Sequence, residues 1–354
     1  QMRRASDEEK TRISRTIVEQ AMTSRKAILS ADAASDERFS MAQSIADFHI
    51  RSMICAPMID SAGEALGVIQ IDTLNQKSRF TDEDLEVLAG VASQAAVAID
   101  NAKMHEQVLA QQALERDLEL AQRMQLALLP SEPPQVEGYY FFDYYQAARQ
   151  VGGDYYDYVT LPGNRFAVIV GDVAGKGVSA ALLMAKLSSD VRFALASESD
   201  AAEAVTRINA SFAKHDWQDK FVTMIVAVVN PHTNGLTLVN AGHMPPLLRQ
   251  ADGSVIEIGE EQSGLPLGVT DDFDFDAYVR QLEPGELVTV FTDGFSEAMN
   301  DNRDLYGIER LMQQVGTPSV AGAQLGQHIL DDVNRFVAGF AQSDDMCLVC
   351  FGRE

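Results

Sequence analysis

Hydrophobic and polar positions follow three different rhythms along the chain. Up to about residue 80, short patterns mix. Ile17, Val18, Ala21 and Met22 share one face of a helix. Ser52 to Ile59 reads as a strand, Ser61-Ala62-Gly63 as a turn, and Ala65 to Ile71 as the returning strand of a hairpin. The second rhythm predicts one long helix from Asp82 to Leu129, free of proline and with Gly90 as its only glycine. Thr81 is the expected N-cap, with Asp84 three residues on. At ~1.5 Å per residue such a helix reaches on the order of 70 Å. Leu88, Ala92, Ala95, Ile99, Ala102, Leu109 and Ala113 recur in 4-3 spacing, with Glu106 as a polar intruder. The spacing restarts one residue later at Leu114, Leu118, Ala121 and Leu128, with Gln125 in the seam. A sustained seam of this kind calls for a partner helix, most simply a parallel second copy, and the slip is where its winding must adjust. The alternative is a helix packed on its own domain.

Pro130, Pro133 and Pro134 end this helix, and the third rhythm begins near residue 136. Strand-like runs cover Tyr139 to Tyr145, Phe166 to Val170, Phe221 to Val229, Leu236 to Val239 and Leu287 to Phe291. Helical stretches cover Ser179 to Ala196, Ala201 to Ala213 and Val320 to Phe340. Strand-rich segments with inserted helices predict stacked sheets covered by helices, and turns such as His232-Thr233-Asn234-Gly235 suit antiparallel hairpins.

The 354 residues, 46% hydrophobic, suffice for two domains with real cores. A net charge of −24 argues against nucleic acid and against anionic membrane surfaces. No apolar run approaches the ~20 residues of a spanning helix, and the polar start does not resemble a signal peptide. Three cysteines do not suggest a disulfide framework, so a cytoplasmic setting is expected. Cys347 and Cys350 form a C-x-x-C pattern inside a strand-like run, where residues three apart face opposite ways. They are expected to be core residues.

The candidate chemistry lies in four short acidic motifs: Gly152-Gly153-Asp154, Gly171-Asp172-Val173, Thr292-Asp293-Gly294 and Asp344-Asp345. Each sits where an apolar run or a helix gives way to small polar residues. Carboxylates that converge in a small volume need a cation, and hard divalent ions such as Mg²⁺ and Mn²⁺ take such oxygen ligands. Gly171 to Gly177 is not a phosphate-binding loop, because Gly177 follows Lys176 where that motif requires Ser or Thr.

In the order Val151 to Asp157, Gly171 to Gly177, Asn240-Ala241-Gly242-His243-Met244-Pro245, Thr292 to Glu297 and Asp344-Asp345-Met346, the third region resembles the PPM (PP2C-like) phosphatases of the SpoIIE/RsbU type. Residues 1–104 resemble a partial GAF domain, through Ile50-Arg51-Ser52, the Gly63 turn, Gly67-Val68, Phe80 to Asp84 and Ala95 to Asn101. The chain begins inside that fold, ahead of the helix at Ile17, so an incomplete sensor sheet is expected. A cyclic-nucleotide signature is matched only in part by Asn75-Gln76-Lys77, Phe80 and Asp84. The expected organisation is therefore α+β: a partial GAF sensor (1–104), a helical coiled-coil linker (105–135), and an αββα sandwich of two antiparallel sheets flanked by helices (136–354).

The phosphatase resemblance implies two Mn²⁺ or Mg²⁺ ions and a metal-activated water that attacks phosphoserine or phosphothreonine directly. It implies Asp172 as the bridging ligand with the Val173 carbonyl beside it, Asp293 and Asp344 on the second metal, and Asp154 as a direct or water-mediated ligand, with Asp345 as the alternative to Asp344. Arg149 matches the spacing of a phosphate-binding arginine, and His243 is a second candidate for substrate contact. Where some relatives carry a histidine two residues after the bridging aspartate, this chain has Ala174. The implied partners are a phosphorylated STAS-type anti-sigma-factor antagonist and a second copy of the chain. The alternatives are a catalytically silent pseudophosphatase that sequesters a partner, and a nucleotide-hydrolysing enzyme, for which the chain lacks a P-loop.

Overall fold

The computed structural model describes residues 15–30, 52–75, 79–214, 217, 220–318 and 320–354. Ile50, Arg51, Gln76 and Lys77, which figured in the GAF and nucleotide readings, lie outside the described residues. Contacts divide the chain into two compact units, Gln1–Glu115 and Arg116–Glu354, and each is described by itself.

In the first unit, helix α1 (Arg15–Ser24) precedes strands β1 (Ile28–Ser30), β2 (Ser52–Ile59) and β3 (Ala65–Thr73), which form an antiparallel sheet in the order β1-β2-β3. Strand alternation sorts β2 between two faces. Met53 and Cys55 pack with Ile17 and Ala21 of α1, whereas Ile54 and Ala56 pack with Leu88 and Ala92 of the long helix α2 (Asp82–Leu126). Thr81 caps α2 reciprocally: its amide and hydroxyl donate to Asp84 Oδ2 at 2.8 and 2.9 Å, and the Asp84 amide donates back to Thr81 Oγ1 at 3.3 Å. Those bonds hold the Asp84 carboxyl below its ordinary range.

The expected seam is thus shared between two uses. Leu88 and Ala92 are spent on the domain's own sheet, a correction to the reading that placed them against a second helix. From Ile99 to Leu114 the same stripe is bare: Ile99, Leu109 and Leu114 are exposed, as are Met104 and Val108 beside it, whereas Leu118 and Ala121 are half-buried and Gln125 is buried. The helix runs without interruption through the slip at Ala113 and Leu114.

The second unit contains two five-stranded antiparallel sheets. Strands β4 (Tyr139–Gln146), β9 (Leu247–Arg249), β10 (Val255–Glu257), β12 (Leu287–Phe291) and β13 (Met346–Arg353) form one, in the order β10-β9-β12-β13-β4. Strands β5 (Tyr155–Leu161), β6 (Arg165–Val173), β7 (Val222–Asn230), β8 (Gly235–Ala241) and β11 (Ala277–Gln281) form the other, in the order β11-β8-β7-β6-β5. The central strands β6 and β7 are buried almost throughout, which is why they read as continuous apolar runs rather than alternating ones. One core lies between the sheets and continues under helices α3 (Val178–Ser197) and α4 (Ala201–Ala213). The other lies on the far face of the β12–β13 sheet, with α5 (Asp293–Ser296), α6 (Ile308–Val315) and α7 (Leu325–Val337). The result is the expected αββα layering. Strand β13 divides its residues between the cores, Cys347 to one and Cys350 to the other. Both thiols are free and buried, and burial pushes Cys350 up to about 12. No helix among the described residues is long and apolar enough to cross a membrane.

Candidate active site

The acidic motifs converge because both sheets deliver strand ends to one place. Asp172 is the penultimate residue of β6, opposite Thr223 of β7. Asp154 precedes β5 and is 1% exposed. Asp293 opens α5 directly after β12. Asp344 and Asp345 lead into β13. Thr292 joins the two halves: its buried hydroxyl donates to Asp154 Oδ2 at 2.6 Å and accepts the Cys347 amide at 2.9 Å.

The electrostatics show how costly this arrangement is for bare carboxylates. Burial first, then Asp172, pushes the Asp154 carboxyl far above its ordinary range. Burial, then Asp293 and Asp344, pushes Asp172 up to about 7. Burial, then Asp344 and Glu297, also raises Asp293. Groups that share a small volume in this way are driven to protonate or to take up a cation.

The two adjacent aspartates differ in occupation. Asp345 is spent on backbone: Oδ1 accepts the Ala148 amide at 2.7 Å and Oδ2 the Gly153 amide at 2.6 Å. Asp344 faces Lys176, whose Nζ lies 2.7 Å from Asp344 Oδ2 and also donates to the Ser343 carbonyl at 2.8 Å. Carboxylate oxygens of Asp293, Asp344 and the exposed Glu297 lie within 4.8 Å of one another. Glu297 stands four residues after Asp293, one helical turn on, and that spacing is the sequence signal for its place in the cluster.

Close approach explains two glycines. A Cβ on Gly294 would stand 1.9 Å from the Asp345 carbonyl oxygen, and one on Gly152 would stand 2.6 Å from Asp345 Oδ2 and 2.7 Å from the Tyr145 hydroxyl. That hydroxyl is buried without a hydrogen-bond partner among the described residues, and Asp345 and Asp154 act on it electrostatically. An unsatisfied buried hydroxyl beside a cluster of carboxyl oxygens, several of them raised by burial and mutual repulsion, fits a pocket for hard cations and their water.

The Val173 carbonyl is directed toward the Gly153 loop, where a Cβ would meet it at 2.8 Å. Arg149 is exposed and follows Ala148, whose amide binds Asp345. His243 is 6% exposed, and both ring nitrogens are engaged, Nδ1 with Thr223 Oγ1 at 2.8 Å and Nε2 with the Phe291 carbonyl at 3.0 Å. Burial brings its imidazole down to about 4, so it is neutral at pH 7 and fastens β7 to β12. At Ala174 the carbonyl accepts from Lys220 Nζ at 3.0 Å. Asp157 accepts from the Tyr155 hydroxyl, the Tyr158 amide and Arg192.

Comparison with known proteins places this geometry. The family model of stage II sporulation protein E (SpoIIE) matches residues 162–354, more than half of the chain, and a GAF domain model matches residues 2–99. Phosphoserine phosphatase RsbU of Bacillus subtilis is 27% identical over 251 residues, 69% of this chain and 72% of that protein. Protein IcfG of Synechocystis is 23% identical over 264 residues, 67% of this chain but only 41% of that protein. Among solved structures, the RsbU and RsbW domains of a Mycobacterium tuberculosis protein align at 26% identity with a TM-score of 0.53, over 62% of this chain and 61% of that one. The SiaA-PP2C domain of Pseudomonas aeruginosa shares the fold, at 21% identity and a TM-score of 0.60, over 69% of this chain and 99% of that one. With its carboxylates gathered at the strand ends of an αββα sandwich, the chain belongs to the SpoIIE family and carries a GAF domain ahead of the family's catalytic fold.

Proposed function

We propose that residues 136–354 form a metal-dependent protein serine/threonine phosphatase. The observation that carries this reading is the convergence of Asp154, Asp172, Asp293 and Asp344, three of them shifted upward by burial and mutual repulsion. Asp154, Asp172, the Val173 carbonyl, Asp293, Asp344 and Glu297 are the groups that would hold Mn²⁺ or Mg²⁺, two ions in our reading. When bound, such a pair supplies Lewis-acid stabilisation of the phosphoryl group and a water activated for in-line attack.

The chain's own residues set the conditions for that chemistry. The Thr292 hydroxyl engages Asp154 Oδ2, and Asp154 and Asp172 act on each other within the cluster. Asp345 clamps the Ala148 and Gly153 amides, which fixes the loop carrying Arg149 and Asp154. Exposed Arg149 is positioned in sequence to take a phosphate dianion bidentately. Lys176 balances Asp344 at the rim of the cluster. Ala174 and the fully bonded His243 offer no proton donor, so the proton for the leaving serine alkoxide would come from water in the site or from another group such as Lys176.

The substrate we propose is a phosphorylated STAS-type anti-sigma-factor antagonist, in a cytoplasmic partner-switching pathway. RsbU and RsbP of Bacillus subtilis, both named phosphoserine phosphatases, support this reading. The GAF domain would act through α2, paired with α2 of a second copy along the bare stripe from Ile99 to Leu114. Hydrolysis of a phosphoserine STAS substrate and of an aryl phosphate, with and without Mn²⁺, tests the proposal. Turnover should require Mn²⁺ and fall by at least ~10²-fold in Asp293→Asn, in line with losing a group that acts on transition-state charge. Binding of the STAS protein without any turnover would instead identify a silent pseudophosphatase.

A further inference from the structure

Gln125, the polar residue among Leu118, Ala121 and Leu128 in the second stretch of the helical seam, is buried at 6% exposure. Its side-chain amide clasps one residue of the candidate active site. Nε2 donates to the Gly152 carbonyl at 2.6 Å, and Oε1 accepts the Gly152 amide at 3.1 Å. A primary amide can satisfy both backbone groups of a single residue in this way, as a neighbouring strand would. Gly152 is two residues from Asp154, and the intervening Gly153 amide is held by Asp345.

Two further contacts join the same stretches. The Tyr156 hydroxyl donates to Asp143 Oδ2 at 3.0 Å and lies 3.5 Å from the Pro130 carbonyl oxygen. The Leu128 carbonyl accepts from Arg192 Nη2 at 3.4 Å, while the same guanidinium grips Asp157 at 2.6 and 3.1 Å. Leu129 is buried in the core between the sheets. Residues 125–130, at the end of α2, are therefore fastened to residues 152, 156 and 157, the span that contains Asp154.

We propose that Gln125 is a positioning residue for Asp154, so that the end of the long helix sets the affinity of the carboxylate cluster for divalent cations. This rests on the metal-dependent reading above and names the contact through which the helix acts. The geometry favours it over a purely structural bond. Among the described residues the Gln125 side chain bonds no other side chain, and the group it holds is the backbone of the loop that delivers Asp154. Displacing the helix end would strip both Gly152 groups of their partners and free the loop.

The test uses the full chain and Mn²⁺ alone, titrated by calorimetry without substrate, together with amide hydrogen exchange of peptides spanning residues 148–154. Gln125→Leu removes both bonds at similar volume. Gln125→Glu keeps the acceptor but sets a carboxylate against the Gly152 carbonyl. Both should weaken Mn²⁺ binding at least ~10-fold, about 1.4 kcal/mol, and speed exchange in the 148–154 span. Gln125→Asn, with the same groups one methylene shorter, should fall between them and the parent, and it carries the test if the other two fail to fold. Asp332→Asn, a destabilising change in the other core, should leave Mn²⁺ affinity unchanged. Parental Mn²⁺ affinity in folded Gln125→Leu would overturn the proposal, as would faster exchange without any change in affinity. A parent that binds Mn²⁺ but hydrolyses nothing would instead count against the phosphatase reading and leave the clasp standing.

Discussion

Among single residues, Thr292 ties the two sheets together at the site. Its hydroxyl serves Asp154 from one sheet's strand end and the Cys347 amide from the other's. Thr292→Val keeps the shape and removes both bonds, leaving a buried amide and a buried carboxyl short of a partner. We predict a loss of about 1–3 kcal/mol in urea denaturation and several-fold weaker Mn²⁺ binding by calorimetry. An unchanged unfolding midpoint would contradict the joining role. The sequence announced Asp154, Asp172, Asp293 and Asp344 through the order of five short motifs, since a single aspartate beside a glycine is as readily a turn former. It could not announce the Thr292–Asp154 bond, which spans 138 positions and depends on how two sheets stack. Gln125 was visible only as a flaw in a seam for the same reason: a buried amide declares itself through its partner.

Among the elements, helix α2 carries two unlike faces in succession. Its first turns bury Leu88 and Ala92 on the GAF sheet, and its later turns leave Ile99, Leu109 and Leu114 exposed. Periodicity alone reads both stretches as one seam, since it reports which positions are apolar but not what covers them. An exposed apolar stripe of this length on a 45-residue helix calls for a partner. We predict that Leu109→Glu with Leu114→Glu shifts the chain from dimer to monomer in sedimentation equilibrium while leaving the GAF and phosphatase units folded. A parent already monomeric at tens of micromolar would remove the basis for the dimer. The strands were easier to read than their neighbours in the sheet. Tyr139 to Tyr145 and Leu287 to Phe291 carry strong β signals, but nothing local says that β4 and β12 flank β13.

At the scale of the whole molecule, an acidic chain with a net charge of −24 places its costly charges in one spot and its satisfied charges elsewhere. Asp332 is the counter-example to the active-site cluster. Arg310 first, then Tyr306 and Arg335, hold its carboxyl below the ordinary range against the effect of burial. A carboxyl lowered in the native state contributes stability that is fully present above its unfolded value near pH 4 and is lost as pH falls through the native value. Urea denaturation of the parent should therefore lose stability on acidification below about pH 4, and Asp332→Asn should flatten that limb. At neutral pH Asp332→Asn should cost about 1–3 kcal/mol, the worth of hydrogen bonds to a charged group. An identical acid limb in the variant would show that the network contributes nothing.

The crowded carboxylates of the site, by contrast, are relieved by protonation or by a cation, and a cation is the counter-charge we propose. Mn²⁺ titration of the full chain by calorimetry, compared with Asp172→Asn, tests it most directly. Two ions per chain in the parent, with loss of at least one in Asp172→Asn, is the predicted result. A parent that takes up no Mn²⁺, or a variant that binds two ions as the parent does, would contradict it.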